Sequence, residues 1–186
     1  MKLGLLRVGQ VTVGVTERIQ ENLMQVFPNT TCIVIDEELP LPKKAFDEKR
    51  GQYRSNVILN EIQRYAAKRK DFDCVLGVVD ADIFVSGLNF AFGEAACPGK
   101  AALISLWRLR PEFYGALADM EVFLGRSVKE AVHEVGHTLG LRHCARSSCV
   151  MYFSNSVVDT DRKQRLFCER CFAEVAFGLS HLGVGH

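Results

Sequence analysis

The sequence predicts a single α/β domain, on three observations. Strand-like and helix-like segments alternate through the first two-thirds of the chain, the pattern of an α/β arrangement. Its 186 residues are enough to bury one sizeable core. The last third then changes to short apolar pieces that hold Cys144, Cys149, Cys168, Cys171 and all five histidines.

Taken in order, residues 3–9 read as a buried strand and 16–27 as a helix with Ile19, Leu23 and Val26 on one face. Thr31 to Ile35 is a second strand. A polar loop with Pro40, Pro42 and Gly51 follows, its mixed-sign stretch from Lys43 to Arg54 expected as a solvated flap beside a cleft. A helix is expected over about 56–68. Cys74 to Val79 is a third strand, ending in the acidic turn Asp80-Ala81-Asp82, read as a turn and not a calcium site. Two more strands, 88–94 and 101–108, are separated by Pro98 and Gly99. The shift in character near Gly140 divides the domain into subdomains 1–140 and 141–186, with no Pro/Ser-rich linker, internal repeat or low-complexity stretch.

Composition narrows the class. With 48% hydrophobic and 24% charged residues and a net charge of +1, nothing recommends nucleic acid or an anionic membrane as partner. No apolar run approaches the roughly 20 residues that span a bilayer. The opening Met1 to Gln10 is broken by Arg7 and lacks a small-residue cleavage site, so it reads as a strand rather than a leader. A cytoplasmic monomer with reduced thiols is expected. Cys32, Cys74 and Cys97 are expected to be small buried or partly buried residues.

The chemistry concentrates between 127 and 171. Ser127 and Glu130 have capping-box spacing, which would start a helix there. On it His133 and His137 lie four residues apart, one turn apart on the same side, where two imidazoles can grip one zinc ion. Glu134, beside the first histidine, is placed to take a proton from zinc-bound water. His143 would point about 240° away from His137 on an unbroken helix. The chain must turn between them, and Gly140 is the residue that lets it. This extended eleven-residue motif, His133 through His143, is far more specific than the bare His-Glu-x-x-His. His181 and His186 are expected to be solvated in an exposed tail.

Cys144 and Cys149, then Cys168 and Cys171, form two short-looped pairs with the spacing of a closed tetrahedral zinc site, structural because no position is left for water. Cys168 and Cys171 open an amphipathic helix expected to turn Phe172, Val175, Ala176 and Leu179 to one face.

Together, His133 to His143, Cys144, Cys149, Met151, Cys168 and Cys171 resemble the signature of the archaemetzincin family of metzincin zinc peptidases. The resemblance implies a mixed, twisted five-stranded sheet above the cleft, an active-site helix beneath it and a small zinc-stapled lower subdomain. It also implies that Met151 is the Met-turn methionine under the imidazoles, where the residue alone would read as core packing. In some relatives a tyrosine two residues after that methionine nears the zinc; here that position is Phe153, and the role is not carried over. By the same analogy, residues 88–96 would offer the strand edge on which a peptide binds.

The expected activity is hydrolysis of a peptide or protein substrate by a metallopeptidase with two zinc ions, one catalytic and one structural, of either the aminopeptidase or endopeptidase kind. Two rivals stand beside it. One is a catalytically silent module of the same fold that binds peptides without cutting them. The other is a zinc-ribbon nucleic-acid binder using the arginines around Arg142 and Arg162, against which the near-zero net charge argues.

Overall fold

A computed structural model describes residues 1–12 and 14–182. The elements are β1 (Lys2–Val8), α1 (Val15–Val26), β2 (Thr31–Leu39), β3 (Phe46–Asp47), β4 (Gln52–Arg54) and α2 (Ser55–Lys68). They continue with β5 (Cys74–Val79), β6 (Ile83–Phe84), β7 (Gly93–Ala95), β8 (Ala101–Ser105), α3 (Met120–Thr138), α4 (Val157–Arg162) and α5 (Glu169–Leu182).

The main sheet is five-stranded in the order β2-β1-β5-β8-β7, parallel throughout except for β7, which runs antiparallel to β8 and forms an open edge. Side-chain alternation splits its faces. Leu3, Leu5, Leu76, Val78 and Ile104 face α1 and α3, whereas Leu6, Val8, Val75, Val79 and Leu103 face α2. Every residue of β5 is buried, because the central strand has a helix layer on each side. The core on the α1/α3 face runs on into the last third of the chain through Val150, Met151, Cys171 and Val175.

Several expectations change. Instead of a strand over 88–94, only Gly93–Ala95 pairs with β8, and Ala91 makes a single bridge to Ile83. Upstream, the Arg50 guanidinium donates to the carbonyls of Leu88 and Asn89, holding them in a loop. The strand expected over 101–108 ends at Ser105, whose hydroxyl donates to Ala81 O and accepts from Trp107 N–H, turning the chain into a short 3-10 helix. The Lys43–Arg54 stretch is not all loop: β3 and β4 pair there, and β4 runs beside β6 in a small second sheet. Asp80 and Asp82 hold Arg110 and Arg108.

The helix expected to begin at Ser127 begins instead at Met120, capped by the Asp119 carboxylate on Val122 N–H. Ser127 is buried inside α3, its hydroxyl donating back to Phe123 O, so it caps nothing. A capping box is present instead at α4, formed by Ser156 with Asp159. In α5, Val175 is buried, but Phe172 and Ala176 face solvent. Cys97 is exposed, against expectation, while Cys32 and Cys74 are buried. His186 and the side chain of His181 lie outside the described residues. No helix among the described residues is long and apolar enough to cross a membrane.

Candidate metal centres

The first centre is built on α3. His133 Nδ1 lies 2.8 Å from Val150 O, and His137 Nδ1 lies 2.7 Å from Leu141 O. A carbonyl can only accept, so each Nδ1 carries the proton and each Nε2 presents a lone pair. Those two Nε2 atoms face each other at 3.1 Å. Two lone pairs at that distance repel unless a cation lies between them. Two nitrogens on one tetrahedral zinc would stand about 3.3 Å apart, close to this spacing.

The third imidazole arrives by the turn the motif demanded. Gly140 has φ 94°, the left-handed conformation, and its N–H donates to His137 O while Leu141 N–H donates to Gly136 O. The chain reverses, Leu141 O reaches His137, and the His143 ring comes to rest 4.9 Å from that of His137 and 5.3 Å from that of His133. The candidate ligand atoms of His133, His137 and His143 all lie within 4.8 Å of one another, a donor set that fits zinc. Phe153 packs on His143 at 4.8 Å.

Two glycines let the walls approach. A β-carbon on Gly136 would stand 2.6 Å from Met151 Sδ, so its absence lets the buried methionine lie against α3 between the histidines. Gly93, on the open-edge strand, meets Glu134 in the same way from above.

Burial dominates the electrostatics. It holds His133 well below the usual imidazole range, with the Lys163 charge adding to it, and lowers His137 and His143 as well. Neutral imidazoles are the form that binds a metal. Burial pushes the Glu134 carboxyl well up, reinforced by Glu130 and Glu94 and opposed by Lys163. Lys163 is fully buried, 3.0 Å from Glu130 Oε1, which also accepts from Thr160 Oγ1 at 2.8 Å. Sequence reasoning missed this pair. Glu130 could have been found, since it lies one turn before Glu134 on the same helix face; nothing in the sequence marks Lys163 as buried.

The second centre gathers Cys144, Cys149, Cys168 and Cys171, whose sulfurs lie within 4.8 Å of one another with no disulfide among them. Cys144 Sγ and Cys168 Sγ are 3.9 Å apart, against about 3.8 Å for two thiolates on one tetrahedral zinc. Backbone N–H groups of Arg146 and Cys168 point at the sulfurs of Cys144 and Cys149. The Cys171 amide draws the Cys168 thiol down to about 7, whereas burial pushes Cys149 and Cys171 up. Four thiolates this close would need a cation to ionise together, and the set fits zinc. The centres are joined: Cys144 follows His143, and its N–H donates to Met151 O at 2.9 Å.

A cleft of about 780 Å³ runs over the first centre between β7 and the segment after Met151, and the exposed Arg142 lies on its rim. Phe92 O accepts from Ser105 N–H and Ala96 N–H donates to Ala101 O. By alternation, the backbone groups of Gly93 and Ala95 turn away from β8 toward the cleft. Among the described residues, the buried polar side-chain atoms without a hydrogen-bond partner are Glu94 Oε2 and Ser154 Oγ, and both residues line this cleft. Neither was marked by sequence reasoning, which treated 88–96 as a backbone edge.

A His-Glu-x-x-His helix beneath an antiparallel edge strand, closed by a third histidine beyond a glycine turn, belongs to the zinc metallopeptidases. Comparison with known proteins narrows the class. The chain belongs to peptidase family M54, whose model matches residues 4–176. It is 40% identical over 175 residues to an archaemetzincin from Methanocaldococcus jannaschii, covering 94% of this chain and 93% of that one. Its structure is similar to that of an archaemetzincin from Methanopyrus kandleri, with a TM-score of 0.85 and 34% identity over 97% and 96% of the two chains. An archaemetzincin from Archaeoglobus fulgidus gives a TM-score of 0.79 and 37% identity over 94% of this chain and 99% of that one. A metallopeptidase acts on peptide or protein substrates, and zinc is the metal of the family.

Proposed function

We propose that this metallopeptidase cuts peptide bonds at a zinc ion held by His133, His137 and His143, with Glu134 as general base. The observation that carries the reading is the pair of Nε2 lone pairs turned on each other at 3.1 Å, each fixed by a carbonyl behind it. When bound, zinc would lower the pKa of a coordinated water to about 7 and polarise the scissile carbonyl.

The remaining steps belong to the chain. Glu134, buried beside His133 and raised in proton affinity, accepts the proton of the attacking water and delivers it to the leaving amine. The substrate adds as a strand to the open edge of β7, hydrogen-bonding the outward backbone groups of Gly93 and Ala95. Met151 forms the apolar floor beneath the imidazoles. Cys144, Cys149, Cys168 and Cys171 hold a second, structural zinc that pins α5 to the segment leaving α3. We read the chain as subdomains 1–140 and 141–186 meeting at the cleft, and as a cytoplasmic monomer without a nucleic-acid partner, which the net charge of +1 supports.

The test is zinc per chain in protein purified without chelators, beside His137→Ala, with a peptide library assayed on the wild type and Glu134→Ala. Two ions falling to one, and cleavage lost in Glu134→Ala, are expected. Cleavage that survives Glu134→Ala would sink the mechanism. Zinc-loaded protein that binds peptides and never cuts them would favour the silent binding module.

A further inference from the structure

The mechanism above leaves unused a charged pair at the base of the cleft. Glu130 lies one turn before Glu134 on the same face of α3, and it lines the cleft although it is only 2% exposed. Its Oε1 takes both of its partners, the ammonium of the fully buried Lys163 at 3.0 Å and the hydroxyl of Thr160 at 2.8 Å. Lys163 Nζ also donates to Tyr152 O at 3.5 Å. The pair therefore sits where α3, the end of α4 and the segment after Met151 meet. A buried ion pair stabilises a fold no better than apolar residues of the same size, so stability does not account for it.

The other oxygen, Oε2, points to a task. No hydrogen bond reaches it among the described residues, yet it is not sealed from solvent as Glu94 Oε2 and Ser154 Oγ are. Because Glu130 is otherwise enclosed, solvent reaches that oxygen through the cleft. A side chain that fills the base of the cleft displaces this solvent. It must then supply the lost hydrogen bond or leave a buried acceptor unpaired. Glu130 and Glu134 are about 6 Å apart along the axis of α3, within reach of one long side chain from beside the cut bond. Charge narrows the donor further. Lys163 already balances the carboxylate, so an ammonium or guanidinium would enter as a second cation beside it. A neutral donor meets Oε2 without that repulsion.

We infer that Glu130 is a specificity residue of the cleft, selecting a residue beside the scissile bond whose side chain ends in a neutral hydrogen-bond donor, a carboxamide or a hydroxyl. This deepens the peptidase reading by naming a substrate class, and rests on that reading for the term scissile.

The experiment uses zinc-loaded protein and peptides varied one position at a time in pairs of similar size. The pairs are glutamine with methionine, threonine with valine, and lysine with norleucine. Cleavage is followed by kcat/KM and binding by calorimetry on the same peptides. At one position glutamine or threonine is expected to be favoured over its apolar partner at least about tenfold, with the difference in KM. Lysine should gain nothing over norleucine there. In Glu130→Gln the amide oxygen stays with Lys163 and Thr160, which both donate, so an N–H group faces the cleft and the preference should vanish. The double variant Glu130→Met with Lys163→Met leaves no charge unpaired and should bring the ratio to one or below. Zinc content and melting temperature report on folding, and a merely structural role would not move a ratio between paired peptides.

Equal values within the glutamine and threonine pairs at every position would overturn the inference. So would a preference that survives both variants, or lysine gaining over norleucine as much as glutamine gains over methionine. Cleavage without preference overturns the role of Glu130 and leaves the peptidase reading standing. Preferential binding without cleavage does the reverse. No binding of any peptide overturns both.

Discussion

A β-carbon on Gly93 would lie 2.5 Å from Glu134 Oε1, so the open edge of the sheet rests directly on the carboxylate proposed as general base. In the proposed reaction strand β7 would position both partners, through its outward backbone groups and by contact with Glu134. Gly93→Ala would press on that carboxylate and on the Leu103 carbonyl, 2.6 Å from the added carbon, and should displace Glu134 relative to β7. A displacement near 1 Å in a reacting group costs on the order of a hundredfold, and we expect kcat to fall by about that much with zinc content retained. Unchanged kcat would mean Glu134 can move without consequence.

Lys163 and Glu130 form a buried pair at 3.0 Å, with side-chain exposures of 0% and 3%. Removing one partner leaves the other charge buried and alone. Lys163→Met should reduce the unfolding free energy of zinc-loaded protein by about 3–5 kcal/mol in urea titrations. Pairing it with Glu130→Gln should recover much of that loss. A single-mutant loss below about 1 kcal/mol would contradict the pair's importance to the fold.

Cys144 belongs to the cysteine cluster, follows His143 and bonds Met151 through its backbone. Cys144→Ser should therefore weaken zinc at the histidine centre as well, by about tenfold, as losses around metal ligands commonly do. Chelator competition on the histidine-bound ion measures it. Affinity equal to that of the wild type would separate the two centres.

Burial raises the Cys32 and Cys74 thiols from 9.0 to about 12. At pH 8 their thiolate fraction is on the order of one in ten thousand. Alkylation of native protein should label the exposed Cys97 and spare both until unfolding, read by peptide mass mapping. The same shifts give a direction with pH. Unfolded thiols release protons near 9.0 and folded ones near 12, so these groups cost the fold stability as pH rises through that window. Melting temperatures of Cys32→Ala and Cys74→Ala variants against pH should flatten there, and a curve parallel to the wild type would refute it.

Local rules in the sequence determined a good deal. Cys74–Val79 is an unbroken apolar run bounded by polar residues and forms the central strand at the expected bounds. The helices at 16–27 and 56–68 appear within a residue of expectation, because their apolar residues recur at helical period and α2 follows a polar loop. The histidine and glycine spacing brought together the first ligand cluster within one helix and its turn. The cysteine spacing paired Cys144 with Cys149 and Cys168 with Cys171, while the chain around α4 brings the two pairs together.

Contacts between distant segments decided the rest. Ser127 and Glu130 have the spacing of a cap, but α3 packs on β8 and α4, so Ser127 is interior and Glu130 turns to Thr160 and Lys163. The strand expected over 88–94 shrank because Arg50, far away in sequence, holds the Leu88 and Asn89 carbonyls. Glu94 looks like any edge-strand glutamate until the fold is seen to bury its Oε2 without a hydrogen-bond partner. Spacing within a segment fixes which residues can share a ligand. Whether a charge is buried, paired or alone depends on what the fold packs against it, and that relation is long-range.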